Sequence, residues 1–120
     1  MARKYDLEDR LIDFSSNVIK LVEALPSTKS ASYIAHQMIR CGVAPSLLYG
    51  EAQGAESRDD FVHKMKIALK ELKETRISLK LILRNGMAEN IEGLCRENEE
   101  LIAIFCKSIE TAKSNNHIKQ

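Results

Sequence analysis

The chain has 120 residues, only 5% of them aromatic and none Trp, and Leu, Ile, Lys, Glu and Ala dominate. That length allows one domain with a single sizeable core, and that composition excludes a sandwich or barrel in favour of packed helices. A net charge of +1 excludes a protein that attracts nucleic acid through bulk charge alone.

Other classes fall away as quickly. Residues 1–6 lack the apolar run and small-residue cleavage site of a signal peptide. No apolar stretch approaches the roughly 20 residues of a membrane span, so no membrane partner is expected. Cys41, Cys95 and Cys106 are scattered without a C-x-x-C spacing, which suits reduced thiols in a cytoplasmic protein.

In chain order, the first helix is expected from about Asp6 to Leu25. Leu7, Leu11, Phe14, Val18, Leu21 and Leu25 step by 4, 3, 4, 3, 4, one core stripe. Pro26 ends it, because the residue before proline is pushed out of the α region. Ser27, Thr28 or Ser30 can cap the second helix, expected from about Ser30 to Gln53 and antiparallel to the first.

That second helix is apolar on two faces. Ile34, Met38, Cys41, Leu48 and Ala52 form one row, while Ile39, Val43 and Leu47 form another nearly opposite. A helix apolar on two sides is buried on two sides, so the 39/43/47 row is a candidate subunit interface. Pro45 is expected to kink the helix or leave a break with a free carbonyl near Cys41.

Ser57 caps the third helix, whose residues Phe61, Met65, Ala68, Leu72, Thr75, Leu79 and Ile82 step 4, 3, 4, 3, 4, 3. Asn85-Gly86 stops it after Arg84. The fourth helix, expected from Glu89 to Lys113, carries Ile91, Cys95, Asn98, Ile102, Phe105, Ile109 and Ala112 in the same rhythm. Asn98 is its polar member, read as a register-fixing or partly exposed amide. Residues 114–120 read as a frayed tail. The fold class is therefore all-α: one antiparallel up-down-up-down four-helix bundle over residues 1–113.

Catalytic signatures are missing from the pattern. Asp60-Phe61-Val62-His63 is a remote echo of a di-metal motif, but His63 lies about 200° from Phe61 and faces away from the core. No motif pairs a histidine with an activated Ser or Cys, and no phosphate loop follows a strand. No enzyme, metal, cofactor or small-molecule substrate is expected.

What remains is surface. Residues 58–84 carry eight Lys/Arg against four Asp/Glu, whereas 89–113 carry three against six. On the third helix Lys66, Lys70, Lys73, Lys80 and Arg84 form a stripe roughly opposite the core. It is either a solvated face partly paired with Glu71 and Glu74, or a row that tracks phosphates. Beside it sit Ile67, Ile77 and Leu81. With Ile12 and Ile19 and the 39/43/47 row, they are too many apolar side chains for a lone small bundle, so a homo-oligomer is expected.

The run from Arg40 to Ser57, with Tyr49-Gly50-Glu51-Ala52-Gln53 at its centre, resembles one family closely. Asp60-Phe61 and Lys70-Glu71-Leu72-Lys73-Glu74-Thr75 continue the likeness. The family is the bacterial four-helix bundle proteins named for intervening sequences of 23S rRNA genes, sometimes labelled ribosomal proteins. The resemblance implies a homopentameric ring. It also implies likeness to the accessory protein of diversity-generating retroelements, a basic pentamer that engages nucleic acid and a reverse transcriptase. One position departs: before Tyr49, where the family has Asn, stands Leu48. The expected function is a non-enzymatic homo-oligomeric scaffold that contacts RNA or another nucleic acid through Lys66, Lys70, Lys73, Lys80 and Arg84. The alternative is a protein-interaction or purely structural module.

Overall fold

A computed structural model describes residues 6–118, with side chains over 6–114. Four helices follow one another: α1 (Leu7–Ala24), α2 (Lys29–Gln53), α3 (Arg58–Arg84) and α4 (Glu92–Ile118). Each packs against its chain neighbours, α1 and α4 close the ring through the slightest contact, and the backbones of diagonal helices stay apart. The chain is an all-α, up-down-up-down bundle.

Local chemistry sets the ends. Asp6, Thr28 and Ser57 each accept a hydrogen bond from the backbone amide three residues on, at 2.8, 3.2 and 3.0 Å. Leu25 is extended (ψ 152°) ahead of Pro26. After Arg84, Met87 N donates to Ile82 O at 3.0 Å and Gly86 N to Leu83 O at 3.2 Å, with Gly86 at φ +63°. That is a Schellman stop, which needs a left-handed residue where Gly86 stands.

Two boundaries move. α4 begins at Glu92 rather than Glu89, because Asn90 sits at φ +60° and cannot join a right-handed helix. α4 also continues to Ile118, past the end expected at Lys113, since Ser114, Asn115 and Asn116 include no proline or glycine to stop it. The side chains of 115–120, His117 among them, lie outside the described residues.

Inside the bundle the stripes read from the sequence meet. Phe14, Met38, Met65, Leu72, Leu79, Ile82 and Phe105 are all buried, as is Leu101, which the expected α4 stripe did not include, and the rings of Tyr49 and Phe105 meet edge to face at 6.2 Å. Leu48 is partly buried and packs against this core as an apolar residue.

Pro45 does not break α2, which is continuous through it. The proline has no N–H for the Cys41 carbonyl, and polar groups of both α1 and α2 gather around this turn. Ser15 Oγ donates to Gly42 O at 2.9 Å, Ser46 Oγ lies 2.9 Å from Leu11 O, and the two hydroxyls are 2.6 Å apart. Two hydroxyl protons thus serve three short contacts. Gly42 makes the approach possible: a Cβ there would lie 2.5 Å from Val18 Cγ1.

Across the α1–α4 seam, the Arg10 guanidinium takes Glu97 in a fork (2.6 and 3.0 Å) and also reaches Glu100 at 3.0 Å. Bidentate, partly buried pairs of this kind are the strong class. Because little else joins these helices, Arg10→Ala is expected to lower stability by about 1–2 kcal/mol in urea titrations. A loss indistinguishable from zero would show that the fork is idle.

Candidate nucleic-acid and assembly surfaces

Lys66, Lys70, Lys73, Lys80 and Arg84 all project from α3 into solvent. At 100° per residue they share an arc of about 80°, and they run roughly 27 Å along the helix. None forms an ion pair within 4 Å among the described residues.

The carboxylates expected beside them are engaged elsewhere. Arg40 on α2 donates to Glu71 at 2.9 Å, to Glu74 at 3.0 Å and to Gln37 at 3.2 Å. The solvated-face reading paired the stripe with Glu71 and Glu74, and the structure gives both to Arg40. Of the lysines, Lys70 acts on Glu74 only at longer range.

The two glutamates respond in opposite senses. Burial pushes the Glu71 carboxyl up, helped by its neighbour Glu74, whereas the hydrogen bond from Arg40 pulls Glu74 down. The pair therefore takes its first proton on Glu71. Glu74 contributes stability above its unfolded pKa, which is lost as pH falls through its depressed folded value. Glu71 contributes the reverse: its ionisation opposes folding as pH rises.

The six apolar residues proposed as interface divide by position. On α2, Ile39 and Leu47 are exposed (Leu47 at 65%) and Val43 is half-buried. The α1–α2 register, with Ser15 against Gly42 and Leu11 against Ser46, sets Ile19 level with Ile39 and Ile12 level with Leu47. These five side chains make one outward apolar face. On α3, Ile77 and Leu81 are exposed (Ile77 at 55%), while Ile67 is half-buried.

Ile77 falls within the arc of the cations rather than beside it. It shares a groove of about 160 Å³ with Lys80, Leu81 and Arg84, and another of about 330 Å³ with Tyr33, Gln37, Arg40 and Glu74. Lys80 and Arg84 therefore rim an apolar groove, and Lys66, Lys70 and Lys73 stand apart from it. Tyr33, 67% exposed, and Leu83, 42% exposed, were not singled out from the sequence. Neither falls on a core stripe of its helix, so periodicity did not mark it.

Asn98 is fully buried, not partly exposed. Its Nδ2 donates to Leu72 O at 3.2 Å, and its Oδ1 has no partner. Burial also raises the Cys41 and Cys95 thiols, which keeps them protonated. Among the described residues, no three His, Cys, Asp or Glu side chains come together as a metal site, and no helix is long and apolar enough to cross a membrane.

Comparison with known proteins places this geometry. The model of the family described as 23S rRNA-intervening sequence protein matches residues 3–107. The chain belongs to that family. A 23S rRNA-intervening sequence protein is also what its shape suggests: it is similar to the 1.70 Å crystal structure of a protein of unknown function from the S23 ribosomal protein family of Bacteroides thetaiotaomicron. The two are 26% identical with a TM-score of 0.81, over 87% of this chain and 98% of the other. No curated protein matches. The intervening-sequence family label names a gene location and carries no reaction.

Proposed function

We propose that the chain is a non-enzymatic, cytoplasmic scaffold that assembles into a homo-oligomeric ring and contacts RNA or another nucleic acid through α3. The count of five subunits follows from family likeness. The observation that carries the reading is the state of Lys66, Lys70, Lys73, Lys80 and Arg84, which are aligned, exposed and, among the described residues, without a carboxylate within 4 Å, while Arg40 holds Glu71 and Glu74. Lys66, Lys70 and Lys73 are the phosphate-facing part, and Lys80 and Arg84 border the assembly groove.

Assembly is supported by two different apolar faces on one subunit. The α1–α2 face holds Ile12, Ile19, Ile39, Val43 and Leu47; the two grooves that share Ile77 hold Tyr33 and Leu81. Unlike faces that join head to tail produce closed rings when the rotation closes. In a ring the α3 rows recur once per subunit.

Sedimentation of the protein with and without single-stranded RNA, at several salt concentrations, tests the reading. The expected result is an oligomer at micromolar concentration whose RNA affinity falls as salt rises. Lys66/Lys70/Lys73→Glu should reduce the magnitude of that salt slope by about 2, three contacts at roughly 0.7 each. A monomer overturns the assembly. A flat salt response, or one the triple variant leaves unchanged, turns the protein into a protein-interaction or purely structural module.

A further inference from the structure

At the end of the bundle where α3 begins and α4 finishes, two cavities adjoin. The first, about 300 Å³, is lined by Arg58, Asp59, Val62, His63, Lys66 and Lys113. The second, about 400 Å³, is lined by Arg58, Phe61, Ser108, Thr111 and Ala112. Arg58 lines both.

The first cavity is cationic by construction from two helices. Arg58, Lys66 and Lys113 line it together with one carboxylate, Asp59, and one imidazole, His63. Lys66 and Lys113, 47 positions apart in the chain, line the same cavity, and the nearness of Lys113 pushes the Lys66 ammonium below its usual value. Two like charges so placed repel each other, and an anion seated between them offsets that repulsion and accepts from both. Neither lysine has a carboxylate within 4 Å among the described residues.

The second cavity differs in chemistry. Phe61 and Ala112 offer an apolar wall, and Ser108 and Thr111 offer hydroxyls that can donate or accept. A planar heterocycle suits such a wall, through stacking on Phe61 and hydrogen bonds at its edge.

We infer that this end of the bundle is a binding site for a phosphate-bearing ligand of nucleotide size, with the phosphate between Lys66, Lys113 and Arg58 and the base against Phe61. The ligand is a free nucleotide or the phosphorylated end of a strand. The site is separate from the rest of the α3 row: Arg58, Phe61 and Lys113 lie outside it, and only Lys66 is common to both.

The test is titration of the full chain with adenosine 5′-monophosphate, inorganic phosphate and adenosine, followed by amide NMR shifts. Adenosine 5′-monophosphate should saturate, with shifts centred on residues 58–66 and 108–113. Inorganic phosphate should bind at least fivefold more weakly, and adenosine alone should not saturate. Lys113→Ala, a change at an exposed position, should weaken the nucleotide about tenfold, one charge-assisted contact. Phe61→Leu should erase the advantage of nucleotide over phosphate. A 5′-phosphorylated oligonucleotide binding more tightly than its unphosphorylated twin assigns the strand end, and equal binding of the two assigns the free nucleotide. No saturation by the nucleotide at 10 mM, or saturation that Lys113→Ala leaves intact, overturns the site. Lys70/Lys73→Glu should leave it untouched, so its failure and the failure of RNA binding along α3 are told apart.

Discussion

Asn98→Asp should lower the unfolding free energy by about 3–5 kcal/mol at pH 7, the range for an uncompensated buried charge. The site is fully enclosed, and among the described residues the amide's one hydrogen bond goes to a carbonyl, Leu72 O, at 3.2 Å. An aspartate there loses its donor and faces that carbonyl with a carboxylate. Its folded pKa must then lie above its unfolded value. The unfolded chain binds fewer protons than the folded one between those two values, so stability falls as pH rises through them. Below the unfolded pKa the charge penalty is absent. Urea titrations at pH 7 and at pH 4 should therefore bring the variant closer to the parent at the lower pH. Asn98→Leu is the control. It gives up one hydrogen bond, about 1 kcal/mol, and also removes the unpaired Oδ1, whose burial costs about 1–3 kcal/mol. It should be near neutral or stabilising. An aspartate variant within 1 kcal/mol of the parent at pH 7 would mean that the site admits water.

The second large effect is a contrast within one helix. Gly42 and Gly50 both lie in α2, and Ala is the better helix former at either, by about 0.8–1 kcal/mol. At Gly50 nothing lies within 4 Å of a new Cβ, so Gly50→Ala should stabilise by about that amount. At Gly42 the new Cβ meets Val18 Cγ1 at 2.5 Å and Cγ2 at 3.0 Å. Val18 is fully buried and β-branched, so its side chain cannot turn aside cheaply. Overpacking of this sort costs about 1–3 kcal/mol, which offsets and exceeds the propensity gain. Gly42→Ala should therefore destabilise, and adding Val18→Ala should recover part of the clash in a double-mutant cycle. Equal midpoint shifts for the two glycine variants would disprove the close approach of α1 to α2.

Much of the fold was legible because the core follows a single rhythm. The 4, 3 spacing from Phe61 to Ile82 placed one face of α3 inward, and Met65, Ala68, Leu72, Thr75, Leu79 and Ile82 are buried there. Turn chemistry marked the stops at Pro26 and Gly86. Contacts between helices were not legible. Nothing local to Arg40 says that it meets Glu71 and Glu74, 31 and 34 positions on, and that meeting decides whether the lysine row is neutralised. The start of α4 was missed because Asn90 takes a left-handed conformation that the apolar pattern does not record. For the surfaces, the sequence separated cations from apolar residues by type. Geometry mixes them, since Ile77 lies among the lysines and shares its groove with Lys80 and Arg84. Arg58 and Lys113 went unnoticed because no spacing connects them; only the antiparallel return of α4 brings Lys113 to Lys66.

A seam built on a repeating 4, 3 pattern has an ambiguity: one helix can slide along its neighbour by two turns and find nearly the same apolar surface again. Ser15 and Ser46 remove that freedom between α1 and α2, because a hydroxyl that reaches Gly42 O in one alignment reaches nothing equivalent in the next. Arg40 does the same between α2 and α3, Asn98 between α3 and α4, and Arg10 between α4 and α1. With one directional clasp on each seam, alternative alignments of this repetitive core are excluded, and every outward side chain has a fixed height on the bundle.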